Sequence, residues 1–146
     1  MVPVLLGRIQ TRIFLLAVVG SAVTALITPV LPAGGAPLAD RYRTAFIVLA
    51  AVAVLGVAWE LLYHLLMQFR WEKDWPSLFG LLTGVPEAVA LWLLLRAGAV
   101  PGIAAAPPVA AFALQFTAVW VAVWLAANGP MRVPFLRWRF RGGRLT

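Results

Sequence analysis

Hydrophobic and polar positions are segregated along this chain in long blocks. Between Ile13 and Ala39 there is no charged residue, and none falls between residues 97 and 131. Four apolar stretches emerge, at about residues 11–31, 44–69, 75–97 and 107–127. At about 1.5 Å rise per residue, some twenty residues cross the ~30 Å hydrocarbon core of a bilayer, so each stretch predicts a transmembrane helix. The breaks between them carry turn chemistry. Pro32 to Pro37 contains two prolines and two glycines, and Asn128-Gly129-Pro130 closes the fourth stretch. Pro86 lies inside the third stretch and predicts a kink, because it removes one backbone hydrogen bond. The first stretch, preceded by Arg8 and Arg12, has a rival reading as a secretory signal. It is longer than a signal's apolar region, and a retained first span is expected.

Composition agrees with the blocks. The chain has 146 residues, 63% hydrophobic and 12% charged, with a mean hydropathy of +0.93. Charged residues make up about a quarter of a soluble domain, so half that supply cannot coat a water-facing surface. The absence of cysteine excludes a disulfide scaffold, and seven Trp with eight Phe exclude disorder. The expected architecture is an all-α integral membrane protein, an antiparallel four-transmembrane-helix bundle. One transmembrane domain would occupy residues 1–131 and a basic aromatic tail residues 132–146. No room remains for a sizeable soluble catalytic domain.

The charge of +7 sets an orientation. With both termini inside, the inner side carries Arg8, Arg12, Arg70, Lys73, Arg132, Arg137, Arg139, Arg141 and Arg144. The outer side carries Arg41, Arg43 and Arg96. This positive-inside bias predicts N-in and C-in. Trp71, Trp75 and Trp138 would then lie at the inner interface, with Trp71 and Trp75 as anchors of the second hairpin. Arg outnumbers Lys eleven to one beside abundant Ala, Gly and Pro, a bias that fits a high-GC bacterial source and hence the bacterial inner membrane.

Ionisable side chains at bilayer depth cost ~2.5–3.5 kcal/mol on insertion scales and mark functional candidates. Glu60, His64 and Glu87 are such residues. Glu60 and His64 share a helix face at i, i+4, and Ala53 and Gly56 continue it with small residues. Counting from the inner interface places Glu60 ~14 Å deep, Glu87 ~18 Å, and Thr24 and Gln115 ~18–20 Å. Thr24, Glu60, Glu87 and Gln115 therefore predict a midplane polar layer whose members satisfy one another, with one carboxyl holding a proton beside the other. Such a layer serves either as interhelical hydrogen-bonding or subunit contact, or as a proton or ligand site at Glu60, His64 and Glu87. His64, ~8 Å deep, reads as an interfacial group. One histidine and no cysteine support neither a dimetal site nor bis-His haem, so no metal or cofactor is expected. Ser21 and Ser77 have no base at readable spacing, and nothing requires an enzyme.

Gly80 and Gly84 form a small-xxx-small stripe just before Pro86. The tail from Phe135 to Arg141 alternates apolar and basic residues, a period that predicts an extended strand. Arg132, Arg137, Trp138, Arg139, Arg141 and Arg144 would rest on anionic headgroups or on a protein partner, and nucleic acid is not expected at a juxtamembrane position. The expected function is a small accessory or assembly subunit of a larger inner-membrane complex, in contact with other membrane subunits or with copies of itself. The alternative is an oligomeric proton-coupled transporter or channel using the midplane carboxylates.

Overall fold

Helix accounts for every regular element that the computed structural model describes, over residues 4–32, 34–69, 77–135, 138, 140 and 142–145. The first span, Leu5–Val30, joins α1 (Leu5–Leu15), a π-helical turn (Leu16–Gly20), α2 (Ser21–Ile27) and a 3₁₀ turn (Thr28–Val30). The second is the unbroken α3 (Leu38–Gln68). The third comprises α4 (Ser77–Leu82) and α5 (Gly84–Arg96). The fourth is α6 (Val109–Asn128), followed by a 3₁₀ turn at Pro130–Arg132. All four spans are long and apolar enough to cross a membrane, and no strand occurs among the described residues. The chain therefore fits a multi-pass membrane protein.

The helix boundaries follow from local chemistry. Pro37 and Pro108, both extended, stand directly before α3 and α6, and Asp40 lies in the first turn of α3, where negative charge favours the helix dipole. Gly34 and Gly35 turn the chain after the first span with φ of +57° and +85°. In the third span, Pro86 lacks an N–H and its ring crowds the Leu82 carbonyl four residues back. The helix breaks there, at Thr83. The first span begins at Leu5 rather than near residue 11, because hydropathy stops a span at the first arginines whereas the backbone helix runs on through them.

Packing among the helices is uneven. One region is filled by Leu16, Val48, Val52, Leu91, Phe112 and Phe116, all buried. The rings of Phe112 lie 5.1 Å from Trp92 and 5.8 Å from Phe116. Between α1, the end of α6 and the tail the helices leave an open cavity, described below.

The tail corrects an expectation. Trp138 and Phe140 are helical rather than extended, and Gly142 and Gly143, with φ of +63° and +83°, fold the chain onto α1. The Val4 N–H donates to the Gly142 carbonyl at 2.9 Å, and Trp138 Nε1 donates to Thr11 Oγ1 at 2.7 Å. Thr11 Oγ1 in turn donates to the Gly143 carbonyl at 2.9 Å. Gly7 makes this possible, since a Cβ there would run into the Gly142 carbonyl oxygen. A two-residue period suits a strand only where a sheet edge is on offer, and here the available surface is a helix face.

Candidate functional site

Arg12 organises the polar interior. It sits in the third turn of α1, and its guanidinium reaches the carboxylates of both Glu60 and Glu87. Its Nη1 donates to Glu60 Oε1 at 3.2 Å and to Glu87 Oε1 at 3.1 Å, while Nη2 bonds Glu87 Oε2. Arg8, one turn earlier, brings Nε to 2.7 Å from Glu60 Oε2, in an ion pair whose angle falls short of a hydrogen bond. Arg8 Nη1 also lies 2.8 Å from Met67 Sδ. Two guanidiniums thus meet two carboxylates across the first, second and third spans. Glu87 is 3% exposed and Glu60 9%. Buried charges persist only when paired and hydrogen-bonded in this way.

Small residues make the space. A Cβ at Gly56 would overlap the Arg12 guanidinium, so Gly56 forms the notch into which that group fits. The opposite side is closed by Trp120, whose ring centroid lies 5.2 Å from Arg12 Cζ, a cation–π distance. Gly84 admits Trp120 in turn: a Cβ there would stand 2.5 Å from Trp120 Nε1. The indole N–H groups of Trp120 and Trp124 donate to the carbonyls of Leu81 and Ser77 at 3.1 and 2.9 Å. Tyr63 OH donates to the Thr83 carbonyl at 3.4 Å. Backbone carbonyls of the broken third span, including Thr83 at the break, are therefore taken up by neighbouring side chains.

The four residues expected in one polar layer are all buried, and they separate into two groups. Glu60 and Glu87 meet through Arg12. Gln115 instead donates from Nε2 to the Ala45 carbonyl at 2.7 Å, and Thr24 accepts at its backbone carbonyl from Thr28 Oγ1 at 2.6 Å. The Thr24 hydroxyl finds no partner among the described residues. Arg12 pairs with both carboxylates, a partner that the polar-layer expectation did not include. Sequence reading missed Arg8 and Arg12 because arginines at the edge of an apolar run resemble interfacial flanks. The available signal was their i, i+4 spacing, which places both on one helix face opposite two acidic residues in need of counter-charge.

His64 is half-buried one turn beyond Glu60 and takes no part in these bonds. Among the described residues, no cluster of three or more His, Cys, Asp or Glu side chains forms. Arg132 donates from Nη2 to Asn128 Oδ1 at 3.0 Å, and Arg144 is exposed. Trp71, Trp75, Arg137, Arg139 and Arg141 lie outside the described residues.

Beside the ion network opens a cavity of about 860 Å³. Its floor is formed by Arg12, Leu15, Leu16 and Glu60, and its walls include Met67, Gly80, Trp120 and Trp124. Trp138 and Gly143 of the folded-back tail close one side. No protein-family model, curated protein or solved structure matches the chain.

Proposed function

We propose that this chain is a small polytopic accessory subunit of a larger complex in the bacterial inner membrane, inserted as an antiparallel bundle with both termini inside. The observation that supports this reading is the closure of the ion network. Two guanidiniums answer two carboxylates, so the membrane-depth charges cancel and bind three spans into one unit. A bundle clamped from within is suited to presenting its outer faces to other subunits and its basic tail to anionic headgroups or a partner. Arg8 and Arg12 belong to the clamp, yet the remaining basic residues still favour the terminal side as the inner one. The test is isolation of the tagged full-length chain in mild detergent with mass spectrometry. A larger membrane protein at fixed stoichiometry, lost when the chain is truncated after Pro134, is the expected result. Recovery of the chain alone overturns the reading.

One observation favours a second reading, an oligomeric proton-coupled carrier. The cavity reaches Arg12 and Glu60, so an ion pair of the network borders space that can admit water. Reconstitution in liposomes separates the two. A homo-oligomer that acidifies vesicles, and stops doing so in Glu60→Gln, supports the carrier.

A further inference from the structure

Protein interiors are packed at nearly crystalline density, and one region of this bundle obeys that rule while another does not. A void of about 860 Å³ falls in the upper part of the ~300–1,000 Å³ range of small-molecule sites. Its lining has two zones. Toward the floor, Leu15, Leu16, Val123 and the rings of Trp120 and Trp124 supply apolar surface. The indole N–H groups of both Trp residues are already engaged by backbone carbonyls, so these side chains offer an occupant only their rings.

The other zone is at the helix ends, where Arg132 and Asn128 line the cavity. Among the described residues its charge is unbalanced. Arg8 and Arg12 are matched by Glu60 and Glu87, whereas no ion pair joins Arg132 to a carboxylate among the described residues. Arg132 is exposed, and among the described residues its guanidinium is held by Asn128 Oδ1 alone. A guanidinium is a planar fork that accepts a carboxylate or phosphate with two parallel hydrogen bonds. The site thus combines a largely apolar, aromatic-walled shaft, floored beside the matched Arg12–Glu60 pair, with a guanidinium at its mouth that no described carboxylate matches.

We infer that this cavity binds a single-chain anionic amphiphile, with its chain against Leu15, Leu16 and Trp120 and its carboxylate or phosphate head on Arg132. A small free anion would leave the apolar shaft empty, and a neutral amphiphile would leave Arg132 unmatched. The inference goes beyond the subunit reading and stands independently of whether a partner is recovered.

The test uses the full-length chain in a maltoside detergent and 9,10-dibromostearate, whose bromines quench indoles at contact. Saturable quenching is expected, reversed by unlabelled stearate and by dodecyl phosphate. Arg132→Gln should weaken the apparent affinity about tenfold, the scale of one charge-assisted hydrogen bond, with an unchanged melting temperature. Arg132→Lys should recover part of the loss, and Ala127→Phe, which narrows the shaft, should abolish saturation. Equal quenching by the dibrominated alcohol, or indifference to both Arg132→Gln and Ala127→Phe, would show partition into the micelle and overturn the site. Competition by inorganic phosphate as strong as that by dodecyl phosphate would overturn the amphiphile in favour of a small anion. Dodecyl phosphate outcompeting stearate assigns a phosphate head, and the reverse assigns a carboxylate; either supports the site.

Discussion

A guanidinium inside a helical bundle needs counter-charge and room, and Arg12 obtains the two from different helices. Glu60 and Glu87 supply the charge, and the missing side chain of Gly56 supplies the room. Removing one partner of a buried pair costs ~3–5 kcal/mol, because the survivor is left uncompensated. Glu87→Gln should therefore destabilise the solubilised chain by about 3 kcal/mol, at the low end of that range because Glu60 still faces Arg12. Thermal unfolding in detergent measures it. The double variant Arg12→Gln/Glu87→Gln should lose clearly less than the two single changes combined, since they share one interaction. Simple additivity would mean that the pair is not coupled. Gly56→Leu attacks the same group through space and should lower the melting temperature without changing any charge.

The third span is bonded along its backbone by side chains of its neighbours. Pro86 breaks the helix at Thr83, and side chains of α3 and α6 bond to carbonyls of the broken span. The two glycines of the stripe are not equivalent. A Cβ at Gly84 would collide with the Trp120 ring, whereas one at Gly80 would meet Trp124 Cδ1 at 3.8 Å, an ordinary contact. Gly84→Ala is thus predicted to cost ~1–3 kcal/mol by overpacking, and Gly80→Ala to be neutral or slightly stabilising through helix propensity. Combining Gly84→Ala with Trp120→Phe should recover part of the loss. Equal melting temperatures for the two glycine variants would show that Trp120 does not pack tightly against Gly84.

For the whole molecule, the folded-back tail joins the two ends of the chain. Backbone meets backbone where Gly7 faces Gly142, and Trp138 secures the join through Thr11. Gly142 is at φ +63°, and a Cβ there would lie 2.6 Å from Val4 Cγ2. Gly142→Val should therefore undock the tail, and faster amide exchange over residues 4–11 would report it while the four spans stay inserted. No change in exchange there would mean that the tail contributes nothing to order at the start of α1. Orientation is checked at the same scale. A cytoplasmic reporter fused after residue 146 is expected to be active, and activity of a periplasm-only reporter at that position would reverse the assignment.

Much of this protein is legible without coordinates, because water and hydrocarbon sort residues by polarity alone. Four helices long and apolar enough to span, the turns at Gly34-Gly35 and after Asn128, the disturbance near Pro86 and the burial of Thr24, Glu60, Glu87 and Gln115 all follow from apolar run length, turn residues and the cost of exposing polar groups to lipid. Partner choice does not follow in this way. Whether Glu87 meets a proton, Gln115 or Arg12 depends on helix rotation and on a notch at Gly56, and neither leaves a periodic trace in the chain. The same holds for the tail, where alternation was legible but the surface awaiting it was not. The cavity is the furthest from sequence. Bulky side chains fill the core around Val48, Leu91 and Phe112 while the space between α1, the third span and α6 stays open, and a cavity is a property of how surfaces fit together rather than of any residue.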